Sequence, residues 1–77
     1  MVINKIKKRV CVIGLGHIGL PIACVLATSG YSVLGVDIDN EVVSRVQSAN
    51  LLNPEPSLQK LLITAIQSKG LMASTNV

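Results

Sequence analysis

The chain has 77 residues, 49% of them apolar and 14% charged, with a formal net charge of +3. A chain this short makes one small domain at most, and burying only about 60% of its unfolded surface leaves a lone fold marginal. It is too apolar for a disordered chain, holds no apolar run long enough to span a membrane, and with one Tyr and no Phe or Trp lacks stacking platforms for nucleic acid.

The first nine residues are basic, with Lys5, Lys7, Lys8 and Arg9 leading into an apolar run. They read as a solvated approach to the first strand; a phosphate-binding patch is the alternative. A signal peptide opens with similar charge, but Gly14, Gly16, Gly19 and Pro21 punctuate its would-be apolar stretch and Asp37 follows. The cytoplasm is therefore the expected compartment. Arg9 to Ile13 reads as a strand whose near-continuous apolar character predicts cover on both faces.

A Gly-rich turn then leads into a helix over His17 to Ser29, with Ile18, Ile22, Val25, Leu26 and Ser29 as its core face. Pro21 falls about one turn in, where its missing N–H starts to cost a helix bond. Gly30 stands where a left-handed cap is wanted. Ser32 to Val36 reads as a second strand ending at Asp37. Asp39 or Asn40 caps a helix that runs to about Ala49, with Val42, Val43 and Val46 as its stripe. Asn50 to Ser57, rich in Pro and Asn, is a loop. A third helix, Ser57 to Ser68, carries Leu58, Leu61, Leu62, Ala65 and Ile66 at helical spacing. Lys69 and Gly70 suit its end, and Leu71 to Ser74 reads as a short third strand.

The order β-α-β-α-α-β, with right-handed crossovers, predicts an α/β fold: half of a doubly wound (Rossmann) parallel sheet with strand order three-two-one. The outer edge of the first strand is then bare. Bare apolar edges recruit partners, so a homo-oligomer covering that edge is expected.

The run from Gly14 to Gly19 is G-x-G-x-x-G, placed between a strand and a helix, with Asp37 lying 18 positions past Gly19. That context is what a dinucleotide-binding fingerprint requires. Gly14 lets the chain turn out of the strand, Gly16 lets a pyrophosphate approach the backbone, and Gly19 lets the helix pack tightly. The N–H groups of His17 and Ile18, at the positive helix end, point at the phosphates. Asp37 accepts hydrogen bonds from the adenine-ribose hydroxyls. Ionised, it repels a 2′-phosphate, and Ile38, Asp39 and Asn40 supply no Arg to welcome one, which favours NAD over NADP. Packing without a ligand is the alternative account of the glycines. His17 presents its backbone rather than its ring at the motif, so the ring is read as a bystander rather than an acid or base. Glu55 is read as charge at the start of the third helix, with a ligand contact as its alternative. Cys11 and Cys24 match neither a CxxC pair nor a zinc site and read as small buried hydrophobes, with no disulfide and no metal implied.

Three segments carry a resemblance. Ile13-Gly14-Leu15-Gly16-His17-Ile18-Gly19-Leu20-Pro21, Gly35-Val36-Asp37-Ile38-Asp39 and Glu55-Pro56-Ser57-Leu58 resemble the N-terminus of the UDP-glucose/GDP-mannose dehydrogenase family. The ending Leu71 to Asn76 is similar to that family's approach to its third strand. Within the family the likeness points to the UDP-N-acetyl-mannosamine dehydrogenase branch. The resemblance implies oxidation of a nucleotide sugar at its C6 alcohol to a carboxylate with two NAD per turnover. It implies NAD contacts at Gly14, Gly16, His17, Ile18, Gly19 and Asp37. It also implies a Cys nucleophile and a UDP-sugar site far downstream, matched by neither Cys11 nor Cys24. Residues 1–77 are thus expected to be the N-terminal part of a dinucleotide-binding domain, with catalytic and nucleotide-sugar domains absent and no catalysis by this chain alone. A non-catalytic half-Rossmann module that self-associates is the rival. His17 stands where the family usually has Tyr, and Val42 where some members have a Lys near the cofactor. A Gly often found after the second helix is replaced around Ser48 to Asn50, which leaves that turn's geometry open.

Overall fold

The computed structural model describes residues 2–6 by their backbone and residues 8–76 with side chains. The strands are β1 (Val2–Ile6), β2 (Arg9–Ile13), β3 (Ser32–Val36) and β4 (Leu71–Ser74); the helices are α1 (Gly19–Thr28), α2 (Asn40–Gln47) and α3 (Pro56–Gln67). All four strands form one sheet in the order β1-β2-β3-β4. β2, β3 and β4 run parallel, so the three strands legible in the sequence lie three-two-one as expected.

β1 corrects the expectation of a bare edge. It pairs antiparallel with β2, from Val2 opposite Ile13 to Ile6 opposite Arg9. The argument for a homo-oligomer from that edge therefore falls. The sequence carries little signal for this hairpin, because Val2 to Ile6 does not alternate strictly and no Asn-Gly or Asp-Gly dipeptide separates it from Arg9. Of the basic cluster, Lys8 and Arg9 are exposed, while the Lys5 and Lys7 side chains lie outside the described residues.

The core forms on one side of the sheet. Val10, Val12, Val33, Leu71 and Ala73 project from alternate strand positions against Leu20, Ala23, Cys24 and Ala27 of α1, Val43 and Val46 of α2, and Leu62 and Ala65 of α3. The opposite side carries half-buried Cys11 and Leu34 and exposed Ile13 and Met72. Cover on both faces, expected from the apolar first strand, is thus not supplied by these residues.

The buried face of α1 also differs from expectation. Gly19, Leu20, Ala23, Cys24 and Ala27 are buried, whereas Ile18 is 68% and Val25 52% exposed. A helix apolar on every side gives periodicity nothing to choose between. Close approach to the sheet selects the side with the smallest residues, Gly19, Ala23 and Ala27, spaced four apart. Because α1 starts at Gly19 rather than His17, Pro21 is the third helical residue. Leu20 N–H to Gly16 O and Ile22 N–H to Ile18 O flank it, so its missing N–H removes the intervening bond to His17 O, the cost the sequence predicts.

Each helix ends in a Schellman motif: Tyr31 N–H to Leu26 O at 3.1 Å, Asn50 N–H to Arg45 O at 2.9 Å, and Gly70 N–H to Ala65 O at 3.1 Å. The left-handed residue is Gly30 (φ 101°) after α1, as expected, but Ala49 (φ 53°) after α2 and Lys69 (φ 61°) after α3. Ala49 thus adopts glycine's conformation where the family pattern often has Gly. Gly70 serves close approach instead: a Cβ there would lie 2.9 Å from Ala27 O of α1. The N-cap of α2 is Asp39, whose Oδ1 accepts from Glu41 N–H at 2.9 Å. Gln47 Nε2 ties that helix to β4 by donating to Ala73 O at 2.8 Å.

Candidate functional site

The parallel register brings the carboxyl ends of β2, β3 and β4 together. Ile13 sits beside Val36, and Val36 beside Ser74. One residue further on, Gly14 N–H donates to Val36 O at 2.7 Å and Asp37 N–H to Ser74 O at 3.1 Å. In open α/β sheets ligands bind outside these strand ends. The six fingerprint residues, Gly14, Gly16, His17, Ile18, Gly19 and Asp37, all lie where the chain leaves β2 and β3.

The three glycines of the loop have different physical reasons. Gly14 has φ 96°, a left-handed turn that lets the chain leave β2 sharply. Gly19 admits no side chain, because a Cβ would stand 1.7 Å from Gly14 O. Gly16 is under neither constraint: a Cβ there meets nothing within 4 Å, and its φ is not left-handed. Nothing in the described protein requires glycine at this position. The open space in front of it belongs to a hollow of about 510 Å³ lined by Gly14, Gly16, His17, Ile18 and Gly19. The first helical bonds run from Leu20 N–H to Gly16 O at 3.1 Å and from Ile22 N–H to Ile18 O at 3.5 Å. The N–H groups of the turn ahead of them form the positive end of α1, suited to an anion. The exposure of Ile18 fits a backbone role there.

Asp37 faces this loop from the end of β3. Its Oδ2 accepts from Leu15 N–H at 2.9 Å and its Oδ1 from Asp39 N–H at 3.0 Å. These two donors, Leu15 first, outweigh partial desolvation and hold the carboxyl below its usual range. The group is ionised at neutral pH. A carboxylate offers about four lone-pair sites, so about two remain for hydroxyl donors.

Leu15 and Asp39 are site residues that sequence reasoning misses. Leu15 is buried between two fingerprint glycines, and its side chain lies over Gly35 of β3, where an added Cβ would be 2.8 Å from Leu15 Cδ2. The signal that could have found it is apolar character between Gly14 and Gly16, together with a glycine two before Asp37.

A second cleft, of about 390 Å³, continues from Gly16 and His17 between α2 and the loop before α3, past Pro21, Val42, Arg45 and Glu55. His17 therefore borders both spaces. Glu55 precedes α3 as its N-cap without a side-chain capping bond. Arg45 pairs with Glu41 at 2.8 Å. Cys24 is fully buried in α1, and desolvation pushes its thiol up to about 11. Cys11 is half-buried in the middle of β2, and both thiols are free. Neither lies at the strand tips. Among the described residues there is no cluster able to hold a metal, and no helix is long and apolar enough to cross a membrane.

The geometry is that of a dinucleotide fingerprint, and comparison with known proteins agrees. Residues 8–77 match the model of the UDP-glucose/GDP-mannose dehydrogenase family, NAD binding domain, and the chain belongs to that family. Its likeness within the family is to the UDP-N-acetyl-D-mannosamine dehydrogenases. That of Methanococcus vannielii is 51% identical over 72 residues, covering 94% of this chain and 17% of the relative. The solved UDP-N-acetyl-mannosamine dehydrogenase of Staphylococcus aureus superposes with a TM-score of 0.81 at 37% identity, covering 87% of this chain and 16% of that one. The GDP-mannose dehydrogenase of Pseudomonas aeruginosa gives a TM-score of 0.81 at 28% identity, over 90% of this chain and 16% of its own. The chain thus spans about a sixth of the length of these relatives.

Proposed function

We propose that this chain holds the adenosine diphosphate half of NAD for a nucleotide-sugar 6-dehydrogenase acting on UDP-N-acetyl-mannosamine. In this reading the pyrophosphate lies in the hollow at Gly14 to Gly19, against the N–H groups of His17 and Ile18. The observation that carries the reading is Gly16: its missing side chain leaves a space that the described protein does not use, next to a helix N-terminus and across from an ionised carboxylate. Asp37 has lone pairs left for the two ribose hydroxyls, and its charge repels a 2′-phosphate. When bound, NAD supplies the hydride acceptor. The residues here bind and orient it, and none of them attacks the substrate. The chain is read as the N-terminal part of the cofactor domain, with thiol chemistry and sugar binding falling to other residues. Two free cysteines suit a reducing compartment, and the cytoplasm is the proposed location.

The test is an NMR titration of the folded chain with NAD and NADP, with Asp37→Ala as control. NAD-selective shifts over Gly14 to Gly19, lost in the variant, are expected. A folded chain that ignores NAD, or takes NADP equally well, overturns the reading. As a second test of the cofactor role, residues 8–77 replace the matching segment of the S. aureus relative, whose own residues supply the sugar site. Retained oxidation of UDP-N-acetyl-mannosamine with NAD is the expected outcome.

A second reading, a non-catalytic module that associates with itself, now rests on the open sheet face rather than the β2 edge. Ile13 is 38% and Met72 68% exposed there. Sedimentation of a micromolar solution as a monomer would remove it.

A further inference from the structure

The contact between Leu15, Gly35 and Asp37 does more than pack the loop. Leu15 is 3% exposed, and its Cδ2, Cδ1 and Cγ stand 2.8, 3.0 and 3.4 Å from where a Cβ on Gly35 would be. Only glycine at position 35 leaves room for that side chain as it lies. Two residues further along the same chain, Asp37 Oδ2 receives the Leu15 N–H at 2.9 Å. One residue of the Gly-rich loop is therefore anchored twice, by its side chain on the body of β3 and by its amide on the carboxylate just beyond the end of β3. The second carboxylate oxygen is held by Asp39 N–H at 3.0 Å, and Asp39 is itself tied down as the cap of α2.

We propose that Leu15 and Gly35 are positioning residues for cofactor selectivity: the seat of Leu15 over Gly35 aims its amide at Asp37 and orients the carboxylate before any dinucleotide arrives. This rests on the reading that Asp37 meets the adenosine ribose. A fixed carboxylate presents its remaining lone pairs in one direction and keeps its charge where a 2′-phosphate would sit. A carboxylate free to rotate toward solvent does neither as well. Neither Leu15 nor Gly35 needs to touch the cofactor for this, which separates them from Gly16.

The test uses the whole chain and two readouts. The first is the pH titration of the Asp37 carboxyl carbon by NMR, with no cofactor present. The second is the ratio of NAD to NADP dissociation constants from chemical-shift titrations. In Gly35→Ala the new methyl displaces Leu15. The Asp37 titration then moves up toward the ordinary carboxylate range, and the preference for NAD falls roughly tenfold, the order expected for one hydrogen bond to a charged group. Gly35→Ala/Leu15→Val moves the bulk from one side of the contact to the other and returns both readouts toward parent values. Leu15→Ala empties the seat without a collision, so it serves if Gly35→Ala does not fold, and it shifts both readouts the same way. A folded Gly35→Ala or Leu15→Ala chain with parent titration and parent NAD preference overturns the positioning role alone. A parent chain that binds neither dinucleotide overturns the cofactor reading and the selectivity role with it.

Discussion

Alanine at Gly16 and at Gly19 should have opposite consequences, although the residues are three apart in one loop. At Gly19 the new Cβ would stand 1.7 Å from Gly14 O and 2.9 Å from Gly14 C, both backbone atoms. Reaching even the 3.0 Å that real contacts rarely undercut requires a shift of roughly 1.3 Å between α1 and the loop. Overpacking of this kind costs about 1–3 kcal/mol. The shift also strains the bond from Gly14 N–H to Val36 O, which contributes about 1 kcal/mol net. The better helix propensity of Ala returns about 1 kcal/mol. The expected net loss is about 1–3 kcal/mol. At Gly16 nothing lies within 4 Å and φ is not left-handed. Alanine there should leave stability unchanged or raise it by about 0.4–1 kcal/mol through the unfolded state. Its methyl nevertheless stands in the phosphate hollow, so NAD binding should be lost. Urea unfolding with a constant m-value reads the first quantity, and NAD titration by NMR reads the second. If Gly16→Ala destabilises the chain as Gly19→Ala does, or keeps parent affinity for NAD, the assignment of that space to a ligand is wrong.

Three further outcomes rest on packing and charge. Leu62 is fully buried where α3 meets the rest of the core, so Leu62→Ala should cost about 2–5 kcal/mol in urea unfolding, enough to unfold much of so small a chain. Ala49→Gly relieves a left-handed alanine (φ 53°) and should raise stability by about 1 kcal/mol, whereas a loss would show the turn is not strained. Burial raises the Cys24 thiol from 9.0 to about 11, so its contribution is complete below pH 9 and is lost as pH climbs toward 11. The gap in urea midpoint between the parent and Cys24→Ala should narrow over that window, and at neutral pH an alkylating reagent should modify Cys11 before Cys24.

Much of the architecture is legible in the amino-acid sequence. The three parallel strands, the cap at Asp39, the turn at Gly30 and the six fingerprint positions depend on nearest neighbours along the chain, where glycine conformation, capping and period-two alternation act directly. Other features depend on what comes from elsewhere. Periodicity misplaces the buried face of α1 because apolar residues surround that helix, and only the distance to the sheet ranks Ala23 and Ala27 above Ile18 and Val25. β1 escapes the sequence because pairing with β2 is a property of an edge seeking a partner, not of the residues Val2 to Ile6 alone. After α3 the pattern offers both Lys69 and Gly70 for the cap. The left-handed residue is Lys69, and Gly70 lets β4 approach Ala27.

The candidate site divides in the same way. Residue type and spacing determined that a strand ends in Gly14, that a helix N-terminus follows, and that an acidic residue closes the next strand, because each is a short-range consequence of composition. Only the tertiary structure decided what those residues do to one another. Parallel register sets Asp37 beside the loop, the depth of Gly35 admits Leu15, and the Leu15 amide then reaches a carboxylate 22 residues away. Such contacts come from the packing of two strands against a common core, which no local pattern encodes.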